Sequence, residues 1–155
     1  LFIGFNDKDK VVTLDLQSGK ELWHFYADGP VRLPLVVNKD KLYFTADDGT
    51  CYCLNTHDGS LVWKRSLAPA EKNLLGNKRF ISMWPARGGI VIRDGILYTA
   101  AGIFPMMGTF IYAGYPPVLQ GLFDRRRRAG HRRFPRIWKT GGQSQGVGGR
   151  CPCPG

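Results

Sequence analysis

The sequence predicts an all-β fold, a partial β-propeller of four-stranded antiparallel blades followed by a basic tail. Residues 11–23 (VVTLDLQSGKELW) return 40 residues later as residues 51–63 (CYCLNTHDGSLVW). Each unit consists of short β-branched or aromatic runs separated by turn residues. Four such strands in about 40 residues match one propeller blade. Residues 1–66 lack the long 3.6-residue periodicity of helical repeats.

Each copy of the repeat contains a tight turn, with a tryptophan four residues after the turn glycine. A short polar side chain at the start of the turn can cap its backbone, and the glycine supplies a positive φ. The tryptophan is placed to bury aromatic surface between adjacent blades while its indole N–H reaches a carbonyl. We therefore assign structural repeat roles to Asp15, Gly19, Trp23, Asn55, Gly59 and Trp63.

A third unit begins after an insertion. The segment PVRLPLVVNKDKLYF (30–44) reappears as PARGGIVIRDGILYT (85–99), an offset of 55 residues instead of 40. The additional residues lie in 67–84, a stretch outside the repeat with room for a short helix. Residues 1–113 are therefore predicted to hold about two and a half blades, with one complete blade at 30–66.

The segments LDLQSGKELW (14–23) and LNTHDGSLVW (54–63) resemble the repeat of the pyrroloquinoline-quinone-like (PQQ-like) β-propeller family. This family includes quinoprotein alcohol dehydrogenases and outer-membrane assembly lipoproteins. Residues 29–105 more closely resemble large exported bacterial proteins of the family whose activity is generally unassigned. The resemblance covers residues 1–113 and is specific for the repeat, not for an activity.

The resemblance implies a fragment of an exported propeller, periplasmic or extracellular, that acts as a non-catalytic scaffold for a protein, peptide or small ligand. The alternative is a fragment of a quinone-dependent dehydrogenase, whose parent would hold PQQ and calcium. Cys51-Tyr52-Cys53 has an intervening residue, so the vicinal disulfide of such dehydrogenases does not carry over. No cofactor-binding residue can be assigned from the sequence.

No catalytic constellation is visible. His24, His57 and His131 are not paired with a suitably spaced nucleophile or second histidine. Asp47-Asp48-Gly49 is better explained by a hairpin turn than by a calcium loop. The CxC pairs at 51–53 and 151–153 are poor zinc ligands by spacing. We expect no catalytic or metal-binding residue. The sequence favours a chain that is not itself an enzyme.

Arg32 and Arg87 occupy equivalent positions in successive units. One interpretation is that each satisfies carbonyls or carboxylates between blades. The other is that both line the propeller axis or a groove on the blade tops and contact a ligand, because equivalent positions in successive blades converge there.

The basic charge is concentrated in the last quarter of the chain. Residues 1–113 carry 13 Lys/Arg and 11 Asp/Glu, whereas residues 114–155 carry 9 Lys/Arg and one Asp, with many Gly and Pro. The favoured hypothesis is a frameshift just after Ala113. The alternatives are a disordered tail without specific function and an arm that binds nucleic acid or an anionic surface through its arginines.

Residues 95–123 contain no charged side chain and raise the question of a membrane span. Pro105, Pro116 and Pro117 interrupt this run, and its first part aligns with a soluble strand of the preceding unit. We therefore predict that it does not span a membrane.

Overall fold

The computed structural model describes residues 1–76, 79–103 and 107–124, for 122–124 the backbone only. Every regular helix or strand within these ranges is a β-strand. The strands form three consecutive antiparallel sheets and one additional hairpin. This confirms the predicted all-β fold class, a partial propeller. The tail beyond residue 124 lies outside the described residues.

The first sheet has three strands in the order β1-β2-β3. Its strands are β1 (Phe2–Phe5), β2 (Lys10–Leu14) and β3 (Glu21–Tyr26). The Val-rich centre of β2 is buried, whereas β3 is largely exposed. A β-bulge between Thr13 and Leu14 shifts the pairing of β2 with β3 just before the repeat turn.

The second sheet is a complete four-stranded blade in the order β4-β5-β6-β7. Its strands are β4 (Val36–Asn38), β5 (Lys41–Thr45), β6 (Thr50–Asn55) and β7 (Leu61–Ser66). β5 and β6 are buried over most of their length because the neighbouring sheets cover both of their faces. β4 is shorter than the apolar run VRLPLVVN suggests, since Pro34 has no N–H for a ladder bond.

The insertion at 67–84 forms an antiparallel hairpin of β8 (Asn73–Gly76) and β9 (Arg79–Ser82). The prediction that this segment has room for a short helix is therefore wrong, because the segment forms a hairpin. The physical reason is a period of two: Leu74 pairs with Ile81 on one face, and Leu75 pairs with Phe80 on the other. Runs of four residues are also too short for a stable helix.

The third sheet also has four strands, in the order β10-β11-β12-β13. Its strands are β10 (Ile90–Arg93), β11 (Ile96–Ala101), β12 (Phe110–Gly114) and β13 (Gln120–Asp124). The predicted boundary at residue 113 falls inside β12, and β13 pairs with β12 beyond it. The third sheet therefore continues to Asp124 and has all four strands. This corrects the prediction of about half a blade in the third unit.

Two apolar cores join the three sheets. The core between the first and second sheets contains Val11, Leu42, Phe44, Tyr52 and Leu54, with Trp23 packed against it. The core between the second and third sheets is built from Tyr43, Cys51, Cys53, Leu97, Ala101 and Leu119, with Trp63 packed against it. Each sheet thus buries its apolar face against the next, which is the packing of propeller blades.

No helix within the described ranges is long and apolar enough to cross a membrane. The uncharged run at 95–123 supplies residues to β11, β12 and β13 of the third sheet instead.

Candidate functional site

The turns and connections at one end of the sheets lie together and form a surface that we call the loop face. It comprises the β1–β2 turn, the β5–β6 turn, the segments that lead into β4 and β10, and the β8–β9 hairpin. Backbone hydrogen bonds hold these parts together. The Asp47 amide donates to the Pro30 carbonyl (3.0 Å), the Ala86 amide to the Ala46 carbonyl (3.2 Å), and the Ser82 amide to the Asp47 carbonyl (2.9 Å).

Asp47 is the charged centre of the loop face. Its side chain is only 1% exposed and lies in the β5–β6 turn. The Arg32 Nε donates to Asp47 Oδ2 at 2.6 Å. Arg87 approaches the same carboxylate with two donors, Nε to Oδ1 at 2.7 Å and a terminal nitrogen to Oδ2 at 2.6 Å. One buried carboxylate therefore binds two guanidinium groups from the entries of consecutive sheets.

The electrostatics of this cluster favour the ionised carboxylate. Burial by itself would raise the pKa of Asp47, but the hydrogen bonds from Arg87 and Arg32 outweigh it and hold the pKa below the ordinary value. The pKa of Arg87 is raised, chiefly by the same hydrogen bond. The cluster carries two positive charges and one negative charge, and its two arginine side chains are about a quarter exposed (26% and 27%).

The structure places both Arg32 and Arg87 on the Asp47 carboxylate. A ligand contact by either arginine stays a prediction. Sequence reasoning treated Asp47 only as a turn residue and missed its role as their shared partner. A signal was present, because two arginines at equivalent positions near a buried connection need a counter-charge, and Asp47 lies between them in the sequence.

The β8–β9 hairpin is anchored over the loop face through Arg79. The Arg79 guanidinium donates to the Asp9 carboxylate and to the Asp7 carbonyl, both in the β1–β2 turn of the first sheet. On the inner face of the hairpin Ile81 is buried. On the outer face, Leu75 and Phe80 stand opposite each other and are 70% and 76% exposed.

A second polar cluster lies close to the same end of the second sheet. The Tyr52 hydroxyl donates to Asp48 Oδ2 at 2.6 Å and accepts from the Asp28 amide at 3.2 Å. Lys64 pairs with Asp28 at 2.9 Å. Burial, and then the nearby Asp48 charge, raise the pKa of Tyr52. The cluster satisfies a buried hydroxyl and fixes the start of β6.

The repeat residues occupy equivalent places in the first two sheets. Gly19 and Gly59 have φ values of +68° and +71°, and each donates its amide to the carbonyl at the start of its turn, at 3.0 Å in both cases. Side-chain oxygens of Asp15 and Asn55 accept backbone amides within the same turns. The Trp23 Nε1 donates to the Thr56 carbonyl in the second sheet at 3.1 Å. Trp63 packs against the next core, as described above.

The histidines and cysteines of the described residues, His24, His57, Cys51 and Cys53, do not form an arrangement for catalysis. His24 pairs with Glu21 on exposed β3, and His57 lies in the repeat turn. Cys51 and Cys53 are free, buried thiols. Burial, and secondarily Cys53, raise the pKa of Cys51 to about 12, so its nucleophilic thiolate form is scarce at neutral pH. His131, Cys151 and Cys153 lie outside the described residues.

The described residues do not fit a quinone–calcium site. Calcium needs several carboxylate, amide or carbonyl oxygens around one point. No group of three His, Cys, Asp or Glu that could hold a metal ion is formed within residues 1–76, 79–103 and 107–124. The carboxylate of Asp47 is already engaged by two arginines.

Three consecutive antiparallel sheets, with a tryptophan packed between neighbours from the strand that follows each repeat turn, define the class as a PQQ-like β-propeller repeat protein. The family described as "Outer membrane protein assembly factor BamB" matches residues 1–95, which is more than half of the chain. The chain therefore belongs to this family of PQQ-like propeller repeats.

Three solved structures show the same fold. BamB from Moraxella catarrhalis is 22% identical over 76% of this chain (TM-score 0.55). Quinohemoprotein alcohol dehydrogenase from Comamonas testosteroni is 17% identical over 79% (TM-score 0.61). A europium-containing methanol dehydrogenase is 14% identical over 79% (TM-score 0.60). At these identities the likeness concerns the fold alone.

The chain spans 35%, 19% and 22% of the lengths of these three proteins, respectively. A search of the curated proteins finds no match.

Proposed function

We propose that this chain is part of an exported, non-catalytic propeller that binds a protein or peptide at the loop face. The observation that carries the proposal is the outward pair of Leu75 and Phe80 on the β8–β9 hairpin, at 70% and 76% exposure. Side chains on the solvent side of a small sheet are usually polar, so two large apolar residues opposite each other indicate a contact surface.

The hairpin is built to hold this pair in place. Its inner face buries Ile81, Arg79 binds the β1–β2 turn, and the Met83 amide donates to the Lys72 carbonyl at its base (2.8 Å). Because a two-stranded hairpin is marginal by itself, these anchors supply the rigidity that binding needs. The propeller sheets support the hairpin, and the two outward side chains of the hairpin form the proposed contact surface.

The proposal is tested by selecting phage-displayed peptides against the chain and measuring their affinity for variants. The double variant Leu75→Ser/Phe80→Ser should bind the selected peptides with an affinity at least about tenfold lower, because it removes two central apolar contacts. Leu22→Ser, an equally apolar and exposed position on β3 away from the loop face, is the matched control. Equal binding to wild type and the double variant would exclude the hairpin as the binding surface.

Arg32 and Arg87 are proposed to take part in the same recognition. A guanidinium carries five N–H donors, and the bonds to Asp47 use one from Arg32 and two from Arg87. Arg32→Met should then reduce peptide affinity with little change in melting temperature, because Arg87 still neutralises Asp47 through two hydrogen bonds. Arg93→Met, at an exposed site on β10, should change neither. A large loss of stability without loss of affinity would assign Arg32 a structural role only.

The alternative function is a part of a quinone-dependent dehydrogenase, which the fold likeness to two dehydrogenases supports. In that case the parent would bind PQQ and calcium outside the residues described above. Adding the quinone and calcium to the complete parent protein and assaying dye reduction with alcohols or sugars tests this. Dye reduction above that of a heat-denatured control would favour the enzyme.

The third candidate, binding of nucleic acid or an anionic surface by the arginine-rich tail, concerns residues outside the described ranges. This candidate predicts that the chain binds a single-stranded oligonucleotide with an affinity that falls steeply as the salt concentration increases.

A further inference from the structure

The dipeptide Asp-Gly occurs four times within the described residues, at 28–29, 48–49, 58–59 and 94–95. In this dipeptide the glycine amide nitrogen can attack the aspartate side chain, because glycine has no Cβ to obstruct the approach. The ring closure needs an accessible carboxyl group, a free amide and room for the backbone to rotate. The four sites have the same local chemistry and therefore differ in what the fold does to them.

The site at 48–49 is held closed on both sides. The Gly49 amide donates to the Ala46 carbonyl at 3.1 Å. The Asp48 carboxylate accepts the Thr50 amide at 3.0 Å and the Tyr52 hydroxyl at 2.6 Å. Both the nucleophilic nitrogen and the carboxyl carbon are therefore fixed until these bonds open.

The site at 58–59 is closed in the same way. The Gly59 amide donates to the Asn55 carbonyl at 3.0 Å. Asp58 Oδ1 accepts the amide and the hydroxyl of Ser60, at 3.0 and 2.7 Å. These two bonds also lower the pKa of Asp58, which leaves less of the neutral acid from which water departs.

The site at 28–29 is closed by packing. Gly29 is buried, and a Cβ built on it would stand 2.7 Å from the Asp48 amide nitrogen. The Asp28 carboxylate accepts the Lys64 ammonium at 2.9 Å, and this bond is the main cause of the lowered pKa of Asp28. The glycine has no room to rotate towards the carboxyl group.

The site at 94–95 is open. It is the two-residue turn between β10 and β11, in which Asp94 and Gly95 have φ values of +52° and +77° and are both exposed. The Asp94 side chain is 88% exposed, and its pair with the exposed Arg93 is loose at 3.8 Å. The Gly95 amide makes no hydrogen bond to another of the described residues. This dipeptide thus combines an accessible carboxyl group with a free amide.

We propose that Asp94 is a modification site at which the aspartate converts to isoaspartate. The Gly95 nitrogen attacks Asp94 Cγ and forms an N–C bond, while the carboxyl hydroxyl leaves as water with the amide proton. Water then adds to either carbonyl of the succinimide ring: addition at Cγ restores aspartate, and addition at the main-chain carbonyl leaves the chain connected through the side chain. No oxidant, metal or enzyme is required, and the inference does not depend on the proposed function.

Isoaspartate lengthens the main chain of the turn by one carbon atom. A two-residue turn fixes the register of its hairpin, which here places Arg93 opposite Ile96 and Ile90 opposite Thr99. The two strands bury Ile90 and Leu97 in the core between the second and third sheets. The modification is therefore expected to loosen β10 from β11 and to weaken the packing of the third sheet on the second.

The test incubates the full chain at neutral pH in H₂¹⁸O. Hydrolysis of the succinimide adds one ¹⁸O atom to the residue that forms, and mass spectrometry of peptides locates the label. We expect Asp94 to be labelled at least about tenfold faster than the other three sites, because hydrogen bonds or packed neighbours must first open there. In the chain unfolded in guanidinium chloride the four sites should be labelled at comparable rates, because only the fold distinguishes them.

Asp94→Glu is the matched variant, because it keeps the charge but would have to close a larger ring. It should carry no label at residue 94 and unchanged label at the other three sites. Equal labelling of all four sites in the folded chain, or label at Asp94 only after unfolding, would overturn the proposal.

The effect on the third sheet is measured on the same aged samples. Isoaspartate is detected by enzymatic methylation of its carboxylate, and its appearance in wild type should be accompanied by faster hydrogen exchange of the β10 and β11 amides. Aged Asp94→Glu should keep its original exchange, and the amides of β5 and β6 should remain protected in both. Unchanged exchange in wild type that contains isoaspartate would refute the loosening of the third sheet.

Discussion

At the scale of single residues, the buried carboxylate of Asp47 joins the entries of two consecutive sheets. It receives three hydrogen bonds from Arg32 and Arg87 while being 1% exposed. A buried ion pair contributes little compared with an apolar replacement, but removal of one partner is costly because the other charges remain. Asp47 should therefore be the most sensitive charged position among the described residues.

Asp47→Asn is expected to destabilise the chain by about 3 kcal/mol. Because the folded pKa of Asp47 lies below its ordinary value of 3.8, its contribution is complete at neutral pH. It is lost as the pH falls from that value through the lower folded pKa. Denaturant unfolding at several pH values should show a smaller loss of stability on acidification for Asp47→Asn than for wild type.

Asp94→Asn is the control, because Asp94 forms an exposed pair with Arg93 and surface pairs contribute little. The exposed Asp15, Asp28 and Asp58 also have lowered pKa values, but they are present in wild type and variant alike. An acid dependence that is identical in wild type and Asp47→Asn would contradict the assignment.

Gly59→Ala tests the indole contact within the chain. Its Cβ would lie 2.5 Å from the Trp23 ring, so the tryptophan must move in addition to the strain of a positive φ. We expect Gly89→Ala to cost about 1 kcal/mol for the strain alone and Gly59→Ala to cost about 1–3 kcal/mol more for overpacking. Denaturant midpoints measure both, and equal losses would show that the ring does not need the glycine.

At the scale of elements, the repeat pattern in the sequence located most strands correctly. Alternating apolar residues and turn signals marked β2, β3, β5, β6 and β7, because each obeys local rules of period and turn chemistry. The pattern predicted β4 less well, because Pro34 shortens this strand. It also did not identify the structure of the insertion, where a short apolar run is compatible with either a helix or a hairpin. Pairing of β8 with β9, together with the anchor from Arg79 to the first sheet, decides between them.

The anchor of the hairpin gives a prediction at this scale. Arg79→Ala should free β8–β9 from the β1–β2 turn, so that hydrogen exchange of the hairpin amides becomes faster while the amides of β5 and β6 remain protected. The double variant Leu75→Ser/Phe80→Ser removes the outward pair but leaves this anchor and should exchange like wild type. Unchanged exchange in Arg79→Ala would show that the inner apolar face alone holds the hairpin.

At the scale of the whole molecule, the three sheets form an open series, not a ring. Each internal interface has its own core, whereas the turn of Gly19 and the exposed residues Val91, Tyr98 and Ile111 of the third sheet are not covered within the described residues. Such surfaces promote association between molecules. In a repeat architecture each unit depends on its neighbours for burial, so further blades are expected to stabilise this chain.

The amino-acid composition changes after Ala113. We propose that a frameshift just after this residue explains the change. We expect that sequencing of the encoding DNA through and beyond codon 113, with translation in all three frames, reveals a Gly-x-x-x-Trp turn in another frame. The reason is that the repeat turn is replaced at this point by residues rich in Arg, Gly and Pro. If neither other frame contains the turn, β13 and the basic tail belong to the protein, and binding by the tail becomes the next hypothesis to test.

The sequence by itself determined the fold class, the blade repeat and the residues of the repeat turn, because these follow from local periodicity, turn chemistry and a fixed spacing. Tertiary structure alone decided that Asp47 is shared by Arg32 and Arg87, that the insertion is a hairpin, and that the third sheet continues to Asp124. These features depend on contacts between residues distant in sequence, such as Arg87 with Asp47 and Arg79 with Asp9. Burial and charge pairing between blades arise only when the sheets pack against each other.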